Sequence, residues 1–561
     1  MAGTTADDSQ HSGFAVTRDI DAIPRVFRHG FGRFTHLHCS KPGENAPLTV
    51  GTWAVARVEN GEEVVVPDAD EVKFVTKGRS VWKNADTGEI FDAGVGSTIW
   101  LPKGSRSILV SADGLETFYV VASTQEMTVP EDVGRGAAFQ TRAHKLLSEY
   151  RQRYVAANPK SADSLGRASA SLAGGNTRSV LHYDPFPMVL VSGRECYVTS
   201  EDGREYVDFV SEYSACMLGH SHPAVTEAVQ AVMKRGINLG GPSREEQVLA
   251  ALLTDRIPSM QRIRFCNSGT EANTMALTLA RHHTGRQKML AFEKGYHGGF
   301  IGFNSDGVLP TTLPFDFVLA RYDDADHVRE LVDDDSFAAI IVEPMQSVGG
   351  MIPASRAFLQ TLREVADRTG AVLIFDEVVT SRLHYNALQS HHGVLPDLTT
   401  IGKFWGGGFS FGAFGGRADI MAATEPPGPG GAQRLNHSGT FNNNAFSMTA
   451  GAVACRLITK EVIATANALG DRLREGITAA GGPSSSPWMW ATGIGSMLNV
   501  HFGGPIATEL GELFFLFMLD RGVYVARRGL VALNMMHTDD HVSQMLGAVR
   551  DFVQELVQVD F

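Results

Sequence analysis

The sequence lacks long runs of basic residues and long runs of apolar residues. Its formal net charge at pH 7 is -13, and without a Lys/Arg-rich stretch it offers little attraction to a nucleic acid or an anionic membrane surface. The longest wholly apolar run, LFFLFML at Leu513–Leu519, is far shorter than the roughly 20 residues that span a bilayer. The first residues, MAGTTADDSQHSGF, are polar and acidic, so we expect no signal peptide. We therefore expect neither a nucleic-acid partner nor a membrane location.

Cysteine is scarce and scattered. The five cysteines are odd in number and none is spaced as CxxC, which argues against a disulfide framework or a zinc site. We expect buried free thiols and a reducing cytoplasm. The cysteines are Cys39, Cys196, Cys216, Cys266 and Cys455.

The chain of 561 residues is too long for one hydrophobic core, and its first part differs in pattern from the rest. Between Phe31 and Ser123, short β-runs such as EVKFVTKG and ETFYVVAS alternate with glycine-bearing turns such as DTGE and ADGL. Many short strands at close spacing predict a small antiparallel sandwich or barrel, placed at residues 1–130. A helical stretch from Gly134 to Ala157 and a small, polar segment after it predict a helix and linker over 131–165.

Beyond this junction, apolar β-runs alternate with helical stretches. FAAIIVEP and AVLIFDEVV, for example, flank the amphipathic stretch SRAFLQTLREVADRTG, a rhythm typical of an α/β fold with a mostly parallel sheet. We assign this large domain to residues 236–455. Residues 166–235 and 456–561 are predicted to form a smaller α+β domain.

Three features of the large domain carry chemistry. A β-run ends at Ser268-Gly269-Thr270 where a helix begins, and free N–H groups at a helix N-terminus bind anions, although an ordinary helix cap also explains these residues. Asp376 ends an apolar strand, where a carboxylate needs a cationic partner unless it is simply solvated at the sheet edge. Lys403 follows DLTTIG and precedes the glycine-rich FWGGGFSFGAFGG.

Together these features are the parts that pyridoxal 5'-phosphate requires. The anion pocket receives the phosphate, the carboxylate pairs with a protonated ring nitrogen, and the lysine is the amine that bonds the cofactor. Lys403 must then move between the cofactor and the substrate, and we expect the glycines around it to leave the space for this movement.

From about Gly174 to Phe561 the chain resembles the class III aminotransferases of PLP fold type I, whose large domain has a mostly parallel sheet and whose small domain is α+β. The resemblance is close to the branch that holds glutamate-1-semialdehyde aminomutase and the β-amino-acid (β-phenylalanine type) aminotransferases. Its motifs, in chain order, are NSGTEAN, GYHGG, VEPMQSVGG, LIFDEVVTSR, TTIGKFWGGG and HSGTFNNN.

The resemblance implies a role for each matching residue. Lys403 would form the Schiff base and Asp376 would keep the pyridine nitrogen protonated. The phosphate would be bound by Ser268, Gly269 and Thr270. The remaining cofactor contacts would be Tyr296 stacking on the ring, Gln346 at the ring hydroxyl and Thr440 at the phosphate of the neighbouring subunit. A homodimer with shared active sites follows from the last contact.

The substrate side is predicted from arginines and one aromatic residue. NTRSV and RRGL resemble the places where the β-amino-acid branch carries its carboxylate-binding arginines, here Arg178 and Arg528, while a solvated surface arginine is the alternative. Tyr213 resembles a pocket-wall position, with core packing as its alternative. The aminomutases carry their arginine further along, where this chain has Leu181 and His182. We therefore predict transfer of an amino group from a β-amino acid or related amine to a 2-oxo acid.

The N-terminal β-domain resembles a small cupin, on the segments DEVKFVTKG and GVGSTIWLPKGSRS. Metal-binding cupins place a histidine where this chain has Ser107. Glu71 remains, but imidazole ligands are missing, so we expect no metal. His36 and His38 in HLH lie upstream of the barrel and are predicted to be surface residues. A structural, dimer-stabilising or ligand-sensing role is expected.

Two other functions share parts of this evidence. An aminomutase needs the same cofactor residues and differs in retaining its intermediate, so that no separate acceptor is required. A non-catalytic regulator built on the same fold would have little reason to keep both Lys403 and Asp376.

Overall fold

The computed structural model describes most of the chain beyond residue 136 and separate strands before it. The described residues are 16–17, 35–39, 48–58, 62–65, 70–84, 90–95, 97–101, 106–122, 137–237, 239–305, 307–426, 434–481 and 488–557. The chain divides into two compact units, Met1–Val133 and Gly134–Phe561.

The first unit has antiparallel β-structure, as its sequence predicts. Its described strands are β1 (Val16–Thr17), β2 (Thr35–Cys39), β3 (Leu48–Val58), β4 (Glu62–Val65), β5 (Asp70–Asn84), β6 (Ile90–Gly94), β7 (Thr98–Leu101) and β8 (Arg106–Ala122). They pair in the order β1-β7-β5-β8-β3-β2, with β4 on β8 and β6 on β5.

Two sequence predictions in this unit are wrong. ADGL was predicted as a turn, yet its residues Ala112 and Asp113 pair with both β3 and β5 inside the long strand β8. A register shift in β5 opposite Gly114 absorbs the irregularity, which is the usual role of a glycine within a strand. His36 and His38 lie within the sheet, on β2 paired with β3, and not upstream of it. The turn DTGE lies outside the described residues.

The second unit begins with two helices. Its helices are α1 (Ala137–Ala157), α2 (Pro159–Ala168), α3 (Pro223–Arg235), α4 (Arg244–Arg256), α5 (Gly269–Thr284), α6 (Ala325–Leu331), α7 (Arg356–Thr369), α8 (Ala387–His392), α9 (Ala418–Met421), α10 (Ala445–Leu457), α11 (Lys460–Ala480), α12 (Ala507–Asp520) and α13 (Asp539–Val557).

Helix α2 replaces the linker that its small and polar composition predicts. Pro159 is its first residue, a position where the missing N–H costs nothing. The carboxylate of Asp202 accepts hydrogen bonds from the backbone N–H groups of Lys160 (2.7 Å) and Ser161 (3.1 Å), and so caps the first turn. This cap comes from far along the chain, which is why local composition did not reveal it.

A mixed sheet forms the centre of the second unit. Its strands, among the described residues, are in sheet order β12 (Arg262–Cys266), β22 (Gly412–Gly416), β21 (Leu398–Gly402), β20 (Val372–Asp376), β17 (Phe337–Val342), β13 (Lys288–Phe292) and β16 (Asp316–Ala320). All neighbouring pairs are parallel except those of β22, which is antiparallel to both neighbours. The predicted mostly parallel sheet is confirmed.

Helices cover both faces of this sheet. Successive strand residues point to opposite faces, so Ile374 packs in one cluster with α5, whereas Leu373 and Phe375 pack in another with α7. A strand buried on both sides reads as a continuous apolar run, as FAAIIV does in β17.

Smaller sheets surround the central one. The remaining strands are β9 (Leu190–Arg194), β10 (Tyr197–Ser200), β11 (Glu205–Asp208), β14 (Phe303–Asn304), β15 (Gly307–Val308), β18 (Met345–Gln346), β19 (Ile352–Pro353), β23 (Met489–Ile494), β24 (Met497–Phe502), β25 (Val523–Tyr524) and β26 (Leu530–Ala532). The apolar run LFFLFML forms the buried part of α12 and packs against α1 and α13 in one core. Within the described ranges, no helix combines the length and apolar character that a membrane span needs.

Candidate active site

The candidate catalytic residues lie where neighbouring strands of the central sheet end. Asp376 is the last residue of β20, and Lys403 directly follows β21. The two strands are parallel, with Asp376 opposite Thr400, so their carboxyl ends meet at the same edge. In open α/β sheets this edge is where ligands bind.

Lys403 is held in a strained and desolvated position. Its φ is +56°, in the left-handed region that costs a non-glycine residue energy. Its Nζ donates a hydrogen bond to the carbonyl oxygen of Tyr213 at 2.8 Å. Burial and the positive charge of Arg178 lower the pKa of Lys403 to about 8, whereas Asp376 opposes the shift. Half of the Lys403 amines would therefore be unprotonated at a pH of about 8.

Asp376 is buried among hydrogen-bond donors. Its Oδ2 accepts from Asn273 Nδ2 and lies against His297 Nδ1, each at 2.8 Å, and its Oδ1 accepts from the backbone N–H of Val378 at 3.1 Å. The sequence predicts a cationic partner for Asp376 if its carboxylate is buried. In the structure, a histidine and a side-chain amide take that place. Because a carboxylate oxygen has two lone pairs, Oδ1 keeps one for a further donor beyond its described contact.

A second buried carboxylate lies next to this pair. Glu343 follows β17 and accepts from the backbone N–H groups of Tyr296 and Ser347, each at 3.0 Å. Burial raises the pKa of Glu343 to about 6; His297 opposes this shift and the negative charge of Asp376 adds to it. Glu343 thus fixes the backbone of the GYHGG segment beside Asp376.

The anion pocket predicted at Ser268–Thr270 is the N-terminus of α5. Ser268 is the N-cap, and its hydroxyl accepts from Glu271 N–H at 3.1 Å. Thr270 Oγ1 accepts from the backbone N–H of Gly299 at 3.1 Å. The adjacent Gly298 has φ +120° and packs so closely on Thr270 that an added Cβ would lie 2.7 Å from the Thr270 Cα. A cavity of about 500 Å³ opens at this helix end.

Three of the glycines after Lys403 pack closely on other parts of the chain. An added Cβ at Gly406 would lie 2.5 Å from Phe411 Cβ, one at Gly407 would lie 2.5 Å from the Ala450 carbonyl oxygen, and one at Gly412 would overlap the Ser268 carbonyl. The expectation that these glycines clear space for the lysine is therefore wrong at these three positions. Gly412 allows its strand to approach the backbone of Ser268 closely, and Gly407 allows its turn to approach the backbone of Ala450.

The other three cofactor residues predicted from the resemblance differ in how exposed they are. Tyr296 is 41% exposed, and Gln346 is buried with its Nε2 donating to the Glu293 carbonyl at 2.6 Å. Thr440 is exposed, and no contact among the described residues joins it to Lys403.

Arg178 and Tyr213 come together beside Lys403. The Arg178 guanidinium forms an ion pair with Glu212 and lies over the Tyr213 ring, 5.3 Å from its centroid. The Tyr213 hydroxyl donates to the Val180 carbonyl at 3.2 Å. Burial raises the pKa of Tyr213, and the positive charge of Arg178 opposes the rise.

Arg528 is less directly placed. It is exposed and lines a cavity of about 380 Å³ together with Arg527, Glu512 and Asn499. Its positive charge opposes the rise in the pKa of Tyr213 that burial causes.

Sequence reasoning missed four residues of this site: Asn273, His297, Glu343 and Glu212. The first three belong to the motifs NSGTEAN, GYHGG and VEPMQSVGG, and Glu212 directly precedes Tyr213. The polar residues of such motifs were the available signal, but only the packing of separate strands reveals which of them meet.

The residues present fit pyridoxal 5'-phosphate. Asp376 offers a buried carboxylate oxygen for a protonated ring nitrogen, Lys403 offers an amine with a lowered pKa, and the first turn of α5 offers backbone N–H groups for a phosphate.

Comparisons with known proteins match most of the second unit. Residues 180–553 match the family model described as Aminotransferase class-III. Beta-phenylalanine transaminase from Variovorax paradoxus is 42% identical over 423 residues, which cover 73% of this chain and 96% of that protein. A solved structure of a β-phenylalanine aminotransferase from the same organism matches with a TM-score of 0.70 and 41% identity, covering 73% of this chain and 97% of that one. Glutamate-1-semialdehyde 2,1-aminomutase 2 from Bacillus licheniformis is 34% identical over 391 residues, or 64% of this chain and 89% of that protein.

Proposed function

The chain belongs to the class III aminotransferases, which use pyridoxal 5'-phosphate, and from this premise we propose that its amino donor is a β-amino acid or a related amine. Its acceptor is a 2-oxo acid. The similarity to beta-phenylalanine transaminase over 96% of that protein supports this donor class. The observation that carries the proposal is that Arg178 lies over the ring of Tyr213, whose carbonyl accepts a hydrogen bond from Lys403 Nζ.

The bound cofactor supplies an electron-poor ring that accepts the electron pair left when a proton leaves the amine-bearing carbon. Asp376 keeps the ring nitrogen protonated, because its buried carboxylate is fixed by Asn273 and His297 and retains a free acceptor position. Lys403 Nζ takes and returns the proton at the reacting carbon, a role that a pKa near 8 suits at near-neutral pH. Ser268, Gly269 and Thr270 hold the phosphate at the helix N-terminus, with Tyr296 on the ring and Gln346 at its hydroxyl.

Arg178 binds the carboxylate of the donor in this proposal. A guanidinium presents parallel donors that match a carboxylate, and Glu212 and the Tyr213 ring hold it near Lys403. Tyr213 forms the pocket wall. Arg528 is a second candidate carboxylate ligand, supported by the electrostatic effect of its charge on Tyr213.

The test is product analysis of the cofactor-loaded enzyme with β-phenylalanine and a 2-oxo acid. We expect the amino acid that corresponds to the acceptor to form in step with loss of β-phenylalanine, and only when both substrates are present. An aminomutase, the alternative supported by the similarity to the Bacillus licheniformis protein, would convert glutamate 1-semialdehyde without any acceptor. That result, with no transfer from β-phenylalanine, would contradict the proposal. Family membership leaves the non-catalytic alternative without support.

We also propose a cytoplasmic homodimer with shared active sites and without nucleic-acid or membrane partners. Thr440 would reach the partner's phosphate site. Support comes from aromatic side chains near the site that a second subunit would cover: Tyr296, Phe300 and Phe441 are 41%, 58% and 53% exposed. The domain boundaries at 166–235, 236–455 and 456–561 remain part of the same proposal. Sedimentation of the purified protein tests the dimer, and Thr440→Ala should weaken cofactor binding.

The N-terminal unit is proposed to be a cupin-like barrel at 1–130, followed by a connecting segment at 131–165. The antiparallel pairing of β3, β5 and β8 supports it. Its role is structural, dimer-stabilising or ligand-sensing, without a metal. Removing the unit and measuring oligomeric state and activity separately would distinguish these roles.

A further inference from the structure

A cysteine, a histidine and an aspartate lie in line beside the active site. Cys216 Sγ is 3.6 Å from His220 Nδ1, and His220 Nε2 is 2.8 Å from the carboxylate of Asp208. Asp208 is buried and its other oxygen accepts from the backbone N–H groups of Val210 and Ser211. The carboxylate therefore fixes the ring of His220, and the ring faces the sulfur.

The surroundings of Cys216 are positively charged. Hydrogen bonding to Asp208, and then to Cys216, raises the pKa of His220 to about 10, so the imidazole is protonated at neutral pH and can donate from Nδ1 to the sulfur. The guanidinium of Arg382 is fully buried, and its pKa is lowered by burial to about 10, a shift that the proximity of Cys216 opposes. The sulfur of Cys216 therefore faces an imidazole N–H and lies near a guanidinium, the kind of surroundings in which reactive cysteines are found.

Another cysteine of the chain provides a matched contrast. Cys196 Sγ is also 3.6 Å from an imidazole nitrogen, that of His541 Nε2. No carboxylate contacts His541 among the described hydrogen bonds, and burial lowers its pKa. Burial also raises the pKa of Cys196 to about 11. The distance to a histidine is thus the same in both pairs, while the carboxylate and the positive charge occur in one.

Burial affects the remaining described thiols in the same way as Cys196. Cys266 and Cys455 are buried, and burial raises the pKa of each to about 12. Cys216, in contrast, is partly exposed.

Cys216 is linked to the catalytic lysine through the backbone. The four residues before Ala215, from Ser211 to Ser214, all have positive φ and form a left-handed turn. The N–H of Cys216 donates to the Ser211 carbonyl at 2.9 Å and closes this turn. The turn presents the Tyr213 carbonyl that accepts from Lys403 Nζ. A group added to the Cys216 sulfur would press on a segment that already stores strain.

We propose that Cys216 is a modification site that exchanges with small disulfides, and that its modification inhibits the enzyme. In the exchange, the Cys216 sulfur forms a bond to one sulfur of the small disulfide while the disulfide bond breaks, and the second half leaves as a thiolate. A dithiol reductant reverses the reaction. The inhibition rests on the proposed transaminase function, whereas the exchange itself does not.

The exchange is tested on the cofactor-loaded full chain with a chromogenic aryl disulfide, and the labelled peptides are identified by mass spectrometry. We expect Cys216 to be labelled at least about tenfold faster than Cys196, because Cys216 is partly exposed beside a fixed imidazole, whereas Cys196 is buried and its pKa is raised to about 11. His220→Gln should slow labelling of Cys216 by about fivefold, because it removes the ring that faces the sulfur. His541→Gln is the matched control and should leave both rates unchanged.

Equal labelling rates at Cys216 and Cys196 in the protein without substitutions would overturn the proposal that Cys216 exchanges with small disulfides. This comparison does not require any variant to fold. For the inhibition half, activity should fall in step with labelling of Cys216 and return on reduction. Cys216→Ser should keep its activity under the same treatment. Full labelling of Cys216 without loss of activity, or equal inhibition of Cys216→Ser, would overturn that half. Labelling of Cys216 does not require turnover of a donor amine. Fast labelling without any transaminase activity would therefore count against the proposed function and not against the exchange.

Discussion

The close contact between Gly298 and Thr270 makes a sharp prediction about cofactor binding. Gly298 has φ +120°, and a Cβ there would lie 2.7 Å from the Thr270 Cα and also overlap its hydroxyl. Both the backbone conformation and the contact therefore exclude a side chain. Gly298→Ala must shift either the GYHGG segment or the first turn of α5.

The expected loss of cofactor affinity depends on which contact the new side chain displaces. A non-glycine residue in such a conformation costs about 1–3 kcal/mol, and forcing an extra methyl into a packed position costs about 1–3 kcal/mol more. If the strain is relieved by moving Thr270, one charge-assisted hydrogen bond to the phosphate is lost. Such a bond contributes about 1.5–3 kcal/mol, which corresponds to a roughly 10- to 100-fold weaker cofactor affinity.

The assay is titration of the cofactor-free protein with pyridoxal 5'-phosphate, followed by absorbance or fluorescence. The neighbouring glycine gives a matched control, because a Cβ at Gly299 meets nothing within 4 Å. Gly299→Ala keeps the N–H that bonds Thr270 and should bind the cofactor within about twofold of the unchanged protein. Equal affinity of Gly298→Ala and Gly299→Ala would refute the reasoning about this turn.

Three further predictions concern the reacting groups. Because the pKa of Lys403 is lowered to about 8, uptake of pyridoxal 5'-phosphate by the cofactor-free protein should become faster as pH rises and level off above about 8. Arg178→Gln removes a charge that lowers this pKa. The midpoint of the pH profile, measured by stopped flow, should therefore move to higher pH. Asp376→Asn should still bind the cofactor but reduce kcat by about 100- to 1000-fold, because a preorganised charge is removed from the reacting centre. A kcat within threefold of the original would contradict the role assigned to Asp376. Arg178→Gln should raise the KM for β-phenylalanine by about 10- to 100-fold, because charged hydrogen bonds to its carboxylate are lost. The KM for an arylalkylamine without a carboxylate should stay unchanged. Equal effects on both donors would contradict carboxylate binding by Arg178.

Sequence patterns predicted the central sheet and its catalytic edge well, because both depend on local information. The apolar run before Asp376 and the β-run before Lys403 each define a strand and its end. The structure shows these two strands to be parallel neighbours, so both residues lie at the same edge of the sheet. The N-cap at Ser268 likewise follows from the type of residue at a strand-to-helix boundary.

Features that depend on residues distant in sequence could not be predicted in this way. His297 and Asn273 meet Asp376 from two other elements, and nothing in GYHGG or NSGTEAN specifies that meeting. Helix α2 is capped by Asp202, which lies 42 residues after Lys160. The glycines after Lys403 were misinterpreted because their neighbours, such as Ala450, are distant in sequence.

The most direct test of the proposed function is a single half-reaction followed by absorbance. β-Phenylalanine is added to the cofactor-loaded enzyme without an acceptor, and a 2-oxo acid is added afterwards. We predict that the visible absorbance of the bound cofactor is lost on the first addition and returns on the second. An absorbance that stays unchanged with β-phenylalanine, while the bound cofactor still responds to another amine, would contradict the donor class proposed from Arg178 and Lys403.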